Sequence, residues 1–219
     1  MRILEARLLV SETAAAAGVR FYREDLGLAA ADGGFRAGHT TVEVVPVGGE
    51  PFYHFALRVP RNRFEAGREW IANHAEILAD DRFENWSADA CYFEDPAGNI
   101  VELIAHGELL EETSSEGPFS AQELLGMCEL GLVGPDTSAM AAGLGELGIE
   151  LWDGSLEPGR LAFMGSREGV LILSPVGRGW MPTNRVAEPH PVEATVTGSS
   201  AREVVLPGTQ HRIRTLPSG

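Results

Sequence analysis

Lysine is absent from this sequence of 219 residues, so all 17 of its basic residues are arginine. Without a lysine amine the chain cannot form a Schiff base, and it cannot supply the lysine of a P-loop phosphate site. Cysteine is scarce as well, since only Cys91 and Cys128 occur and they form no C-x-x-C pair. This spacing argues against a disulfide framework, and we expect both thiols to be buried as small apolar side chains.

Long hydrophobic runs are also missing. No apolar run approaches the roughly 20 residues that a membrane-spanning helix needs. Arg2, Glu5 and Arg7 interrupt any signal-peptide pattern, so we expect a cytoplasmic protein. The net charge of −15, from 32 acidic and 17 basic residues, argues against nucleic acid or an anionic membrane as a partner. The length, with 44% hydrophobic residues, fits one large domain or two of roughly 100 residues each.

The most informative pattern lies in residues 92–104. Asp95-Pro96-Ala97-Gly98-Asn99 predicts a turn, and the apolar segments on either side predict the two strands of a hairpin. Glu102 stands inside the second strand, where a carboxylate is costly to bury unless it meets a cation, a proton or a hydrogen-bond donor. His54 occupies the same kind of position in a predicted strand at 52–59. Together they form a candidate metal pair.

The predicted elements repeat along the chain. Residues 3–47 predict a strand, a helix that ends at Gly27, and three short strands. Residues 52–104 predict the same order, with a helix at 63–78. Residues 1–106 therefore form two βαβββ units of an α+β fold. Residues 107–121 are acidic, rich in serine and glycine, and without an apolar period, which predicts a linker.

Residues 122–219 contain a weaker copy of the first half. Glu5 is followed seven residues later by Glu12-Thr13, and Glu129 is followed seven residues later by Asp136-Thr137, an offset of 124 residues. Pro46-Val47-Gly48 returns as Pro175-Val176-Gly177 at an offset of 129 residues. The order and the similar offsets favour a tandem repeat, in which the second copy is shorter near its end.

Three segments carry a family resemblance. They are Phe21-Tyr22-Arg23-Glu24-Asp25-Leu26-Gly27-Leu28, His54-Phe55-Ala56-Leu57-Arg58-Val59 and Asp95-Pro96-Ala97-Gly98-Asn99-Ile100-Val101-Glu102-Leu103. The chain resembles the vicinal oxygen chelate superfamily, which includes glyoxalase I, extradiol dioxygenases and bleomycin resistance proteins. The resemblance is strong over 1–106 and faint over 122–219. It implies tandem paired βαβββ modules in curved, cup-shaped mixed sheets, with a degenerate second domain and a small-molecule substrate.

The resemblance also implies one divalent metal ion, Mn, Ni, Co, Fe or Zn, at the base of a cup. Its ligands would come from the first, fourth, fifth and eighth strands, which places Glu5, Glu43, His54 and Glu102 at the metal positions. Most members of the superfamily have His or Gln at the first of these positions. Ring-cleaving dioxygenases use two His and one carboxylate, so Glu5 disfavours that chemistry.

A carboxylate-rich site of this kind resembles those of glyoxalase-like lyases and isomerases. There the metal polarises a carbonyl and stabilises an enediolate while a ligand Glu moves the proton. Either Glu102 or Glu5 would be that base. Strand alternation places Arg7 on the face of Glu5 and Arg58 on the face of His54, where guanidinium groups suit a substrate carboxylate or phosphate. Trp86 would form part of the pocket wall.

A metal-free interpretation stays open beside this one. Arg7 and Arg58 would then neutralise the acids of the cup, and His54 would be a core histidine bonded to backbone. The protein would bind or sequester a small molecule, as bleomycin resistance proteins do.

The second half lacks the expected ligands. The repeat aligns Ile172 with Glu43, Val192 with His54 and Arg212 with Glu102, and these side chains cannot replace the metal ligands. We therefore expect residues 122–219 to bind no metal. They would close the cup, pack against the first domain, or form the contact of a homodimer.

Overall fold

The computed structural model describes residues 1–109 and 111–217, so Leu110 of the predicted linker and Ser218 and Gly219 of the predicted second domain lie outside the described residues. The chain forms four modules. Module 1 contains β1 (Ile3–Ser11), α1 (Ala15–Arg20), β2 (Ala29–Ala31), β3 (Gly34–Ala37) and β4 (Thr40–Val47). Module 2 contains β5 (His54–Arg58), α2 (Phe64–Ala72), β6 (Ile77–Phe83), β7 (Ala88–Glu94) and β8 (Ile100–His106).

The other two modules follow the linker and differ in size. Module 3 contains β9 (Gly126–Gly134), α3 (Thr137–Glu146), β10 (Leu151–Gly154), β11 (Ala162–Ser166) and β12 (Gly169–Pro175). A short hairpin comes next, made of β13 (Gly179–Trp180) and β14 (Arg185–Val186). Module 4 contains only β15 (Val192–Gly198), β16 (Arg202–Val205) and β17 (Arg212–Pro217), because residues 199–201 connect β15 to β16 where the other modules have a helix.

Local sequence explains the hairpin between β7 and β8. The Asp95 side chain accepts hydrogen bonds from the backbone N–H groups of Ala97 and Asn99, at 2.8 and 3.0 Å. Gly98 adopts φ of +81°, which glycine does without a steric penalty. The predicted turn is therefore present. The predicted helix at 63–78 ends at Ala72, because Ile77 and the residues after it pair with β7 instead.

The modules pair in the order first with fourth and second with third. Sheet 1 has the strand order β16-β17-β15-β1-β4-β3-β2, and sheet 2 has the order β10-β11-β12-β9-β5-β8-β7-β6. In each module the first and last strands run parallel, whereas β1 meets β15 and β5 meets β9 in antiparallel fashion. Each sheet therefore combines one module from residues 1–106 with one from the second half of the chain. The linker joins the two halves of the sequence, but it does not mark a boundary between the two sheets.

The hydrophobic core lies behind both sheets. Successive side chains point to opposite faces of a strand, so Leu8 of β1 and Phe55 of β5 enter the core while their neighbours Arg7 and His54 face the other way. Helices α2 and α3 pack into this same core, for example through Ile71 and Leu144, and Phe21 and Tyr22 enter it directly after α1. The opposite face of each sheet stays available for a binding site. No helix among the described residues is long and apolar enough to cross a membrane.

Candidate metal centre

Three ionisable side chains converge on the concave face of sheet 2. His54 begins β5, Glu102 lies on β8 and Glu129 lies on β9. Strand register brings them together, because Ala56 of β5 pairs with Glu102 on one side and with Glu129 on the other. One ligand atom from each residue lies within 4.8 Å of the other two, and all three side chains are buried. We call these residues the triad.

The imidazole of His54 offers a free lone pair to the triad. Its Nδ1–H donates to the carbonyl oxygen of Ile100 at 3.2 Å, since a carbonyl can only accept. Nε2 is then unprotonated, and it faces Oε2 of Glu102 at 3.6 Å. Burial lowers the pKa of His54 to about 4, so the ring is neutral at pH 7. An unprotonated nitrogen opposite a carboxylate is unfavourable unless a cation or a proton lies between them.

One oxygen of each carboxylate lacks a hydrogen-bond partner in the described part of the chain. Among the described residues, Oε1 of Glu102 and Oε1 of Glu129 are buried and accept no hydrogen bond. Burial raises the pKa of Glu129 to about 7. Burial also raises the pKa of Glu102, and the negative charge of Glu129 adds to the effect. Two buried acids side by side, with orphaned oxygens, are stable as carboxylates only beside a positive charge.

A divalent cation fits this arrangement. One imidazole nitrogen and two carboxylates are donors that Zn, Mn, Fe, Co and Ni accept. Ligand atoms around an ion with bonds of roughly 2.1 Å are about 3 to 4 Å apart, close to the 3.6 Å between His54 and Glu102. The fourth equivalent position, on β12, carries Ile172, whose apolar side chain cannot coordinate. A metal held by three protein ligands keeps open positions for a substrate.

The walls around the triad are aromatic and apolar. The cavity there has a volume of about 80 Å³, and it is lined by Phe83, Trp86, Tyr92, Leu161, Phe163, Ile172, Trp180 and Met181 besides the triad and Arg178. Tyr92 pairs with Glu102 across β7 and β8, and the carboxylates of Glu102 and Glu129 add to the effect of burial in raising its pKa. Such walls exclude water from the triad and strengthen the electrostatic interactions there.

The hairpin β13–β14 covers this cavity, and we call residues 177–187 the covering hairpin. The Trp180 ring lies 5.0 Å from the His54 ring, centroid to centroid. A Cβ at Gly131 would lie 2.9 Å from Trp180, so this position needs glycine to admit the indole. Arg185 fixes the other strand, because its guanidinium lies 3.6 Å from the centre of the Phe52 ring and donates to the Gly98 carbonyl at 2.7 Å.

Two of the four predicted ligands lie together, and two do not. His54 and Glu102 belong to the triad, whereas Glu5 and Glu43 lie on sheet 1. Glu5 accepts a hydrogen bond from Thr195 at 2.9 Å, and Glu43 lies 3.2 Å from Arg7. The predicted ligand set required consecutive modules to share one cup. Because β5 pairs with β9, the position expected for Glu5 is filled from module 3.

Glu129 is the residue of the triad that sequence reasoning missed. The second half of the chain was expected to supply no ligand, yet the structure groups its Glu129 with His54 and Glu102. The signal was present in the repeat, which matched Glu129 with Glu5. The strand register confirms this match. Arg7, two residues after Glu5, pairs with Glu43 of β4. Gly131, two residues after Glu129, pairs with Ile172 of β12, which the repeat aligns with Glu43.

The residues predicted to bind substrate are also divided between the sheets. Arg7 is on sheet 1, partly exposed, and paired with Glu43 and Glu193. Arg58 is buried on the face of sheet 2 that carries His54. Trp86 lines the cavity around the triad, and its indole N–H donates to Asp153.

Sheet 1 has an equivalent set of positions. The strand register places Glu5, Glu43, Glu193 and Arg214 at these positions. The two residues from module 4 are therefore Glu193 and Arg214, whereas the sequence alignment had predicted Val192 and Arg212. These residues line an open cavity of about 460 Å³. Its carboxylates are accompanied by guanidinium groups, as Arg7 lies 2.8 Å from Glu193 and Arg214 lies 2.8 Å from Glu203.

No protein-family model matches the sequence, and no curated protein matches it either. Solved structures do match. A "putative dioxygenase" from Bacillus subtilis aligns with a TM-score of 0.61 at 15% identity, over 100% of this chain and 86% of that chain. Glyoxalase I from Zea mays aligns with a TM-score of 0.53 at 14% identity, over 99% of this chain and 92% of that chain. A mutant of that glyoxalase gives a TM-score of 0.57 at 13% identity, over 98% of this chain and 93% of that chain.

At these identities the similarity shows the fold. The chain has two curled mixed sheets built from βαβββ modules, which is the glyoxalase/bleomycin resistance/dioxygenase fold. The predicted α+β fold class, and the fold that the resemblance implied, are confirmed. Function has to be argued from the residues of the site.

Proposed function

We propose that the chain is a divalent-metal-dependent enzyme that acts on a small oxygenated metabolite, with His54, Glu102 and Glu129 as the metal ligands. The observation that carries this proposal is the pair of buried carboxylates whose Oε1 atoms accept no hydrogen bond among the described residues. Leaving such groups unpaired costs several kcal/mol. An ion that neutralises them turns this cost into binding energy.

A divalent ion bound there would supply Lewis-acid polarisation of a substrate carbonyl. The protein's own groups would handle the proton. The Glu102 carboxylate faces His54 and accepts a hydrogen bond from Tyr92, whereas no such bond opposes the raised pKa of Glu129 among the described residues, so we assign proton transfer to Glu129. With an α-hydroxycarbonyl substrate, the carboxylate would accept the proton of the hydroxyl-bearing carbon and return it to the former carbonyl carbon, while the hydroxyl proton moves to the former carbonyl oxygen. The hydroxyl-bearing carbon then becomes the carbonyl, so the net change is an isomerisation that needs no further reactant.

The ligand types favour lyase or isomerase chemistry over ring cleavage. Non-haem Fe(II) oxygenases use two histidines and one carboxylate. The triad has one histidine and two carboxylates, and a second carboxylate provides the base that a proton transfer needs.

The alternative is a metal-free protein that binds or sequesters a small molecule. The aromatic walls around the triad favour it, since Trp86, Phe163 and Trp180 would hold a flat apolar ligand equally well without chemistry. The covering hairpin would then close over the ligand.

Metal analysis of purified protein tests the proposal. We expect about one divalent ion per wild-type chain after loading, and less than about a tenth of that for Glu102→Gln, because a buried amide replaces a charged ligand. Glu43→Gln, at the equivalent position of sheet 1, is the matched control and should keep the wild-type content. Wild-type protein that takes up no divalent ion would refute the proposal. Ligand binding that is unaffected by chelators would favour the metal-free alternative.

A further inference from the structure

A second set of buried polar groups lies further along the same face of sheet 2. On β8, His106 follows Glu102 by four residues and points to the same face, which places it about 13 Å along the strand at roughly 3.3 Å per residue. Arg58 lies on the neighbouring strand, where its partner on β8 is Ile104, two residues before His106 on the same face. Arg58 and His106 are each 2% exposed. Neither residue belongs to the triad.

Most of the donors in this set are unused. Among the described residues, Nε and Nη1 of Arg58, both ring nitrogens of His106 and Nε of Arg167 are buried without a hydrogen-bond partner. Contacts between rings connect His106 to Arg167 through Trp86 and Trp152. Burial, together with the positive charges of Arg58 and Arg167, lowers the pKa of His106 to about 4. Two guanidinium groups beside a buried imidazole are an unfavourable arrangement unless an anion joins them.

Aromatic rings surround this set. The Trp86 ring lies 6.2 Å from the His106 ring, and the Trp152 ring lies 5.0 Å from that of Trp86. Arg167 lies 5.7 Å from the centre of the Trp152 ring. These rings reduce solvent screening, so an oxyanion bound to the guanidinium groups would be held more strongly than on an open surface.

Two carboxylates from the linker already contact the set, Glu111 at Arg58 and Glu108 at Arg167. Oε1 of Glu111 lies 3.2 Å from Nη2 of Arg58, and its side chain is 35% exposed. A third linker acid, Glu112, pairs in the same way with Arg61, which lies outside the set. Glu111 therefore takes one edge of the Arg58 guanidinium and leaves Nε and Nη1 without an acceptor among the residues described.

We propose that Arg58, His106 and Arg167 form a binding site for an oxyanion, the carboxylate or phosphate group of a small molecule, which Glu111 closes until the ligand displaces it. Arginine is suited to this role because its planar fork can bind both oxygens of such a group. The Glu111 carboxylate on Arg58 is an internal substitute for the ligand. The site does not depend on a metal in the triad.

Calorimetric titration of metal-stripped protein with succinate, and separately with inorganic phosphate, tests the proposal at constant ionic strength. The variants are Glu111→Gln, Arg58→Met and the matched control Glu112→Gln, whose carboxylate pairs with the more exposed Arg61. Removing the competing carboxylate should tighten binding at least fivefold in Glu111→Gln. The control should stay within twofold of wild type, and Arg58→Met should lose binding by at least tenfold.

The better of the two probes identifies the group that the site takes. Equal affinity of Glu111→Gln and Glu112→Gln for both anions would overturn the proposal, as would wild-type binding by Arg58→Met. The first comparison stands even when Arg58→Met does not fold, because both glutamates are partly exposed. Since the protein carries no metal in this experiment, its result is independent of the metal analysis.

Discussion

The concave faces of the two sheets use the same four strand positions in opposite ways. Sheet 2 carries His54, Glu102, Glu129 and Ile172, in a covered cavity of about 80 Å³. Sheet 1 carries three glutamates and Arg214 at the equivalent positions, in an open cavity of about 460 Å³. The acids of sheet 1 have guanidinium partners and solvent, whereas Glu102 and Glu129 of sheet 2 are buried and form no salt bridge with an arginine among the described residues. Burial and counter-charge, more than position in the fold, therefore decide which face can hold a metal.

The covering hairpin accounts for much of this difference. It lies between modules 3 and 4 and places Trp180 over the His54 side of sheet 2. Salt bridges of partly exposed groups, such as Arg7 with Glu193, contribute little because water screens them. Removing Trp180 of the covering hairpin should expose the acids of sheet 2 to water, as those of sheet 1 are. Removing Arg7 should leave acids of sheet 1 without a positive partner, as those of sheet 2 are. Three variants test this comparison, in order of expected effect.

The largest effect is expected from Trp180→Ala. Trp180 is 4% exposed, and removing a buried aromatic side chain costs about 3 to 5 kcal/mol of unfolding free energy. Bound metal should also exchange faster, because the triad becomes open to water. Chemical denaturation and the rate of metal loss to a chelator measure the two effects. Met181→Ala is the control on the same hairpin, since Met181 is 48% exposed. Equal stability of the two variants would contradict the assigned role of Trp180.

The second prediction concerns the pH dependence of the metal-free protein. The pKa of Glu129 is raised to about 7 from its ordinary value of 4.5, so the folded state holds its proton more tightly and loses stability as the pH rises between these values. Glu129→Gln has no proton to lose. The difference in unfolding free energy between Glu129→Gln and wild type should therefore shift in favour of the variant as the pH rises from 5 to 8. The expected shift is up to about 3 kcal/mol, at roughly 1.4 kcal/mol per pKa unit.

Denaturant titrations of both metal-free proteins at several pH values measure this difference. Comparing the two proteins at each pH cancels the contributions of the buried histidines, which are common to both. A difference that does not change with pH would contradict the raised pKa. Loading the wild type with metal should remove its loss of stability, because the ion takes the place of the proton.

The smallest effect is expected on sheet 1. Arg7→Met removes the partner of Glu43 and Glu193, but the Arg7 side chain is 40% exposed, so the loss in unfolding free energy should stay below about 1 kcal/mol. The metal content should stay at one ion per chain. Thermal denaturation and elemental analysis check both statements. A loss of unfolding free energy above about 2 kcal/mol would contradict this prediction, because exposed ion pairs usually contribute about 1 kcal/mol or less.

Much of the architecture was predictable from local sequence. The turn at Asp95-Pro96-Ala97-Gly98-Asn99, the strand positions of His54 and Glu102, and the order of elements in modules 1 and 2 all follow from patterns of a few residues. The pairing of modules does not. Nothing in the sequence near β5 distinguishes β1 from β9 as its neighbour, because both first strands carry an acid at the equivalent position. Whether Glu5 or Glu129 joins His54 and Glu102 therefore depends on contacts between strands that are distant along the chain.

Two other features were beyond sequence reasoning for the same reason. The linker was expected to be an acidic connection, yet Glu111 contacts Arg58 across a separation of 53 residues. The covering hairpin has only two residues in each strand, too few to give a periodic signal. Both act through contacts with distant parts of the chain, which composition and spacing do not reveal.

The way the sheets are joined also orders the events of folding. Sheet 2 needs modules 2 and 3, which are adjacent along the chain. Sheet 1 needs β15 beside β1, and Arg2 donates to Thr197 across 195 residues. During synthesis, the edge of β1 that pairs with β15 stays unpaired until module 4 has been synthesised. That exposed edge is the point at which a nascent chain is most open to misassembly.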